Sequence, residues 1–317
     1  YRAVREGVSF LEMCADVDRA VTVSLQPLEL VGSEAVILFS DIFVPVLSMN
    51  VELDFAPGPV IAEPIRARRQ VEALSTADPR KGVPYVFEIL RRLRRELAPR
   101  EIPLLGFAGA PFTLACYLIR GSGDPDRRFA EVTTLMAREP ELMHALLDKL
   151  GVVMADYLVA QVEAGAHAVQ LFDTWAGILD DATYRRFALP VVRKIAGALR
   201  GKAPFILFGG EAPHLVDAML DSGCDVLSVG SCVDLAAVAR RAGGNTSVQG
   251  NLPPEDLKRS REDIFDAVRR LADAARPARG HILNLGHGCT PETPVAGVRA
   301  FTDAARALAT DAAFALR

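Results

Sequence analysis

Five times between residues 167 and 309, a short strand-like run gives way to a longer segment of helical spacing. The runs cover 167–172, 204–208, 226–229, 246–249 and 281–285, and the segments after them cover 183–199, 213–222, 235–242, 254–275 and 294–309. Apolar runs of strand length predict strands buried on both faces, as in a parallel sheet. Strands alternating with helices imply right-handed βαβ units. Two further units come earlier. Residues 35–39 lead to an amphipathic helix over 82–97, and the strand at 102–105 leads to a helix over 112–119. Seven such units predict an α/β fold, the (β/α)8 barrel, for which about 250 residues or more is usual. One strand is lacking, and its natural place is before Tyr1. The expectation is one catalytic domain over residues 1–317, incomplete at its N-terminus. The rival is an open doubly wound sheet, but no Gly-x-Gly-x-x-Gly follows the first strand.

The intervening segments fit this plan. Residues 18–32 have helical spacing and close on Gly32, a residue suited to a C-terminal cap. Residues 49–61, rich in Pro and Gly, predict an extended loop or small hairpin, and 139–165 a long helix. A net charge of −4, with no basic run interleaved with aromatics, speaks against a nucleic-acid partner. The basic clusters at 66–69, 91–92, 94–95 and 127–128 read mostly as solvated helix faces. Cys14, Cys116, Cys224, Cys232 and Cys289 have no CxxC spacing, so neither a zinc nor a disulfide framework is expected, and a reducing cytoplasm fits. There is no signal peptide and no apolar run of bilayer length, so no membrane partner is expected. A chain starting at Tyr1 reads as a processed, trimmed or fragmentary product.

The strand ends carry the chemistry. The first strand runs into Ser40-Asp41, and a carboxylate there is costly to desolvate unless a cation or donor meets it. Ligands of parallel α/β folds bind at the carboxyl ends of strands, although an isolated Asp at such a point also caps helices. The small residues of 106–111 precede a helix whose N-terminus would favour an anion, with Tyr117 one turn in. The next strand ends in Asp173-Thr174-Trp175, an acid, a hydroxyl and the only tryptophan. Later ends carry Gly209-Gly210-Glu211, Gln249-Gly250-Asn251 and Gly286-His287-Gly288. Singly, Tyr117 reads as core and His287 as a cap. Together on one rim, they read as an active site.

The stretches Phe39-Ser40-Asp41-Ile42, 106–114 with Tyr117, Gln170-Leu171-Phe172-Asp173, Gln249-Gly250-Asn251-Leu252 and Asn284-Leu285-Gly286-His287-Gly288 resemble uroporphyrinogen decarboxylases. Leu25-Gln26-Pro27 and Phe187-Ala188-Leu189-Pro190 extend the likeness, in order, over almost the whole chain. The resemblance implies a single-domain (β/α)8 barrel that forms homodimers in the cytoplasm or plastid and uses no cofactor and no metal. It implies a carboxy-lyase that removes four acetate carboxylates from uroporphyrinogen III, giving coproporphyrinogen III for haem and other tetrapyrroles. Asp41 matches the carboxylate that stabilises the protonated pyrrole, with Tyr117 as its catalytic companion. Phe10, Asp41, Tyr117, Thr174 and His287 match substrate-contacting positions.

Three departures stand out. The family's Arg-Gln-Ala-Gly-Arg-Tyr-Leu-Pro-Glu-Tyr-Arg motif is met only at its end, Tyr1-Arg2, so two arginines suited to gripping carboxylates are not in this sequence. Gly230-Ser231 replaces a usual Asp-Trp, and Thr174 stands where Ser is common. The departures keep open an inactive barrel that only binds porphyrinogen. A third reading, the related methylcobalamin:coenzyme M methyltransferases, needs a His-x-Cys and a later Cys for zinc. The matching ends here, Phe208-Gly209-Gly210 and Gly286-His287, carry no thiolate.

Overall fold

The structure is a computed structural model describing residues 1–55 and 58–310. Its main sheet has seven strands: β1 Val36–Ile37, β2 Leu104–Gly109, β3 Ala168–Phe172, β4 Phe205–Phe208, β5 Val226–Ser228, β6 Ser247–Gln249 and β7 His281–Ile282. They pair in chain order and all in parallel. A doubly wound sheet would reverse its order at a switch point, so chain order throughout identifies the curled sheet of a (β/α)8 barrel. Each strand overlaps a predicted one, although β2 runs on to Gly109, through residues read as the approach to a helix.

β1 and β7 are the sheet edges, yet the helical layer continues past the gap between them. Helix Val295–Thr310 lies against helix Val17–Val31. Arg299 Nε donates to Leu30 O at 2.7 Å, Thr302 Oγ1 to Val31 O at 2.6 Å, and the Arg306 guanidinium to Gly32 O. These are final carbonyls of the helix, which lack partners within it and attract cationic donors. Gly32 closes that helix in the left-handed region, at φ 66°, as its sequence suggested.

Several elements differ from the sequence reading. The segment 183–199 is two helices, Asp181–Phe187 and Leu189–Leu199, because Pro190 cannot supply the N–H that a continuous helix needs. The segment 254–275 is a 3-10 turn, Pro254–Lys258, and then helix Arg261–Ala275, capped by Ser260. Residues 49–61 contain a hairpin, Leu53–Phe55 against Pro59–Ile61, whose residues 56–57 lie outside those described. Helices Phe10–Ala15 and Ala130–Arg138 had not been placed, although Ser9 and Glu12 form a complete capping box on the first.

β1 is shorter than the run 35–39, and this difference shapes the site. Leu38 N still reaches Leu105 O at 3.1 Å, but Phe39 N turns to Ser24 Oγ at 2.8 Å. The register of β1 on β2 would set residue 39 beside Phe107. There the Gln161 side chain takes the place of a strand, accepting from Phe107 N and donating to Phe107 O, both at 2.8 Å. Gly106 follows from this, since a Cβ at that position would collide with Gln161 Oε1. Two side chains thus satisfy the backbone groups that β1 abandons. Residues 40 and 41 are free to turn over the strand ends.

Candidate active site

Inside the curl, Gln249 Nε2 donates to Gln170 Oε1 at 3.0 Å and to Ser228 Oγ at 2.9 Å. Gln170 and Gln249 sit on non-adjacent strands, so these side chains point inward. Residues two apart share a strand face, which turns Phe172 inward above Gln170. Phe172 meets Phe107 and Phe208 edge-on at 5.8 and 5.6 Å between ring centres. An aromatic wall therefore runs across β2, β3 and β4.

A cleft of about 510 Å³ extends from the edge of β1 and helix Val17–Val31 to this wall. At its inner end stand Phe39, Ser40, Asp41, Phe107, Phe172 and Thr174. Among the described lining residues Asp41 is the one ionisable side chain. Its Oδ1 accepts from Phe43 N at 2.8 Å and its carbonyl from Val44 N at 3.1 Å. Asp41 therefore does cap a turn, and its carboxylate still faces the cleft. Burial pushes its carboxyl up, and the Phe43 N–H opposes this only in part.

Tyr117 comes from helix Pro111–Arg120, which opens with proline at its first position. Its ring packs edge-on against Phe43 at 4.8 Å, with Phe129 at 5.8 Å and Trp175 at 6.2 Å. Burial, with the Asp41 carboxylate adding to it, raises the phenol further above its ordinary value, so it stays protonated at neutral pH. The structure thus places Asp41 and Thr174 in one lining, with Tyr117 outside it but within electrostatic reach of Asp41.

The other two expected residues lie apart. Phe10 packs behind Phe39 at 5.9 Å and against Phe55 at 4.8 Å, outside the lining residues. His287 is exposed on the far rim, within electrostatic reach of Glu211. Partial burial acts to raise the Glu211 carboxyl; backbone donors from Ser231 and Cys232, at 2.8 and 2.7 Å, and His287 outweigh it and hold the group low. A Cβ at residue 230 would strike that carboxylate. The Gly230-Ser231 departure is thus matched to Glu211, a fit that sequence reasoning did not foresee.

Sequence reasoning also passed over Asp173, Thr113 and Gln161. Asp173 was noted as an acid at a strand end, but Thr174 received the weight. The adjacent Asp173 is fully buried (0% exposed), with Oδ1 accepting from Thr113 Oγ1 at 3.0 Å. Burial drives its carboxyl up to about 7, against the Thr113 and Tyr184 hydroxyls that favour the ionised form. Among the described residues, no three His, Cys, Asp or Glu side chains converge to hold a metal ion.

Comparison with known proteins accords with this geometry. The family description "Uroporphyrinogen decarboxylase (URO-D)" matches residues 1–308. A uroporphyrinogen decarboxylase of Geobacter metallireducens is 43% identical over 295 residues, covering 93% of this chain and 86% of that protein. One from Pelobacter propionicus is 43% identical over 300 residues, covering 94% and 87%. Among solved structures, a methyltransferase from Methanosarcina mazei superposes with a TM-score of 0.81 at 20% identity, covering 96% of this chain and 90% of that one. A B12-independent methionine synthase from Shewanella superposes at 0.62 with 13% identity, covering 94% and 89%. Those two likenesses concern the barrel alone. With a family match along nearly its whole length and relatives at this identity, the chain belongs to the uroporphyrinogen decarboxylase family.

Proposed function

We infer that the chain is a carboxy-lyase that removes the four acetate carboxylates of uroporphyrinogen III to give coproporphyrinogen III. The observation that carries this reading is Asp41, a half-buried carboxylate and the one ionisable side chain among the described residues of a cleft lined by aromatic, aliphatic and hydroxyl side chains. A pyrrole acetate loses carbon dioxide readily once the ring is protonated at the adjacent carbon. The bond to the carboxylate breaks, its electron pair neutralises the ring, a second proton completes the methyl group, and the first proton leaves the ring carbon to restore the aromatic pyrrole. The ring is its own electron sink, so the chemistry calls for no cofactor. What the protein must supply is a flat apolar slot and a charge that stabilises the cationic ring.

Asp41 fits the second need. Its carboxylate is desolvated, so a ring whose N–H groups turn toward it would recover the interaction that burial removed. Tyr117, protonated and beside Asp41, supplies a hydrogen-bond donor, and Thr174 a hydroxyl for the acid side chains. Phe10 acts from behind Phe39, and His287 meets a peripheral carboxylate at the rim. We further assign a single catalytic domain working as a homodimer in the cytoplasm, without nucleic acid or membrane as partner. No helix of the described residues is long and apolar enough to cross a membrane.

The test is anaerobic turnover of uroporphyrinogen, with products resolved by the number of carboxylates remaining. Stepwise loss of carboxylates is expected. Tight porphyrinogen binding with no carbon dioxide released by folded protein would refute the decarboxylase reading in favour of a binding barrel.

A further inference from the structure

Asp173 and Thr113 form a fully buried polar pair directly beneath the cleft, and both are 0% exposed. The pair joins three elements. Asp173 follows β3, Thr113 lies in the first turn of helix Pro111–Arg120, and Trp175 opens the following loop. Thr113 Oγ1 donates to Asp173 Oδ1 at 3.0 Å and accepts from Trp175 N at 3.2 Å. Thr113 and Tyr117 lie four residues apart, on one face of their helix. The Trp175 ring then returns to that face, packing against Phe129 at 5.0 Å and Tyr117 at 6.2 Å. The Trp175 ring that packs on Tyr117 thus belongs to a residue whose backbone N–H is anchored on the Thr113 hydroxyl, one turn from Tyr117 in the same helix.

We propose that Asp173 and Thr113 are positioning residues: acting through Trp175 and the helix, they hold the Tyr117 phenol at the place beside Asp41 where it acts on substrate. The proposal rests on the role given to Tyr117 above. A carboxylate with no contact with solvent is a poor means of stabilising a core, since removing its hydration outweighs one hydrogen bond. As the acceptor for a hydroxyl that must also receive the Trp175 N–H, it has a definite use. The acceptor obliges the Thr113 proton to point one way and leaves the oxygen lone pairs free for the loop.

The experiment is a double-mutant cycle. Thr113→Val keeps the shape and removes the hydroxyl, and Asp173→Leu removes the acceptor. Each is expected to lower kcat roughly tenfold or more, the scale of loss when a reacting group is misplaced. Thr113→Ser and Asp173→Asn, which retain hydroxyl and acceptor, restore most of that rate. Because Tyr117 is the route of the effect, the loss should vanish in a Tyr117→Phe background. Trp175 is the only tryptophan, so its emission should shift in Thr113→Val and not in Thr113→Ser. A purely structural pair gives a different pattern: lower thermal stability, unchanged kcat per folded molecule, and the same loss with or without Tyr117. That pattern overturns the proposal. If Asp173→Leu does not fold, the Thr113→Val cycle decides alone. Full activity in Tyr117→Phe itself would overturn the role given to Tyr117, and the positioning proposal with it. An impaired Tyr117→Phe with independent losses would overturn the positioning proposal only.

Discussion

Gln161 should carry more stability than a single buried amide normally does, and Gln161→Leu measures it. The side chain is fully buried and serves both backbone groups of Phe107 at 2.8 Å, where β1 has left the sheet. Leucine fills a similar volume but leaves a buried N–H and a buried C=O without partners, at about 1–3 kcal/mol each. The apolar side chain returns about 1 kcal/mol by its own transfer, so a net loss of roughly 1–5 kcal/mol is expected. At about 2.1 cal/mol/K per residue, 317 residues give an unfolding entropy near 0.67 kcal/mol/K, so the thermal midpoint should fall by roughly 2–8 °C. Urea unfolding, extrapolated linearly, reads the free energy directly. Gln161→Glu sharpens the test. Only a protonated Glu can donate to Phe107 O, so its deficit should be large at neutral pH and shrink as the pH falls. A loss below about 1 kcal/mol in Gln161→Leu would refute the claim that this amide stands in for a strand.

Asp41→Asn, which keeps shape and removes charge, should lower kcat by roughly tenfold or more while the protein stays folded; near-normal turnover would remove Asp41 from its role. Asp173 is bound to a proton more tightly when folded, since its carboxyl rises from 3.8 to about 7. Its contribution is therefore complete below about pH 4 and is lost as the pH rises toward 7, by up to about 4 kcal/mol for a shift of this size. Asp173→Asn should gain on the parent protein across that interval, and parallel urea-unfolding profiles at pH 4.5 and 7.5 would contradict the assignment. Gly286→Ala places a methyl group against Ser231, and should cost about 1–3 kcal/mol as overpacking in a melting experiment. An unchanged midpoint would mean that the two rim loops do not depend on each other.

The barrel was legible because its signal is repeated: runs such as 35–39 and 204–208 are apolar without alternation, as a sheet covered on both faces permits. What escaped was set by partners distant in sequence. Gln161 looks like a polar residue on a long helix until Phe107, 54 positions away, shows what it replaces. The end of β1 at Ile37 could not be read from 35–39, because Phe39 is as apolar as its neighbours and leaves the sheet for Ser24. In the site, Asp41, Tyr117 and Thr174 were singled out by the family resemblance, since Tyr117 taken alone reads as core and Asp41 as a cap. Asp173 did not, since only burial distinguishes it from any other acid at a strand end. Glu211 and Gly230 explain each other only once the two loops are in contact.

The two readings of Asp41, cap and active-site carboxylate, prove to be one arrangement. Capping Phe43 uses Oδ1 and fixes the side chain, so no rotamer freedom is lost when substrate arrives. A single N–H leaves most of the carboxylate's hydrogen-bonding capacity open toward the cleft. The consequence is differential binding. A neutral pyrrole ring gains only hydrogen bonds from Asp41, whereas the protonated ring gains a full charge interaction. At about 4 Å and an effective dielectric near 20, that interaction is worth roughly 4 kcal/mol, or about a thousandfold in rate. Stabilisation confined to the charged state raises kcat without tightening the substrate complex. A fixed cation in the same slot would oppose it, and the described lining has none. Thr174→Lys, which sets a cation at the lining beside Asp41, should therefore lower turnover sharply while leaving the fold intact.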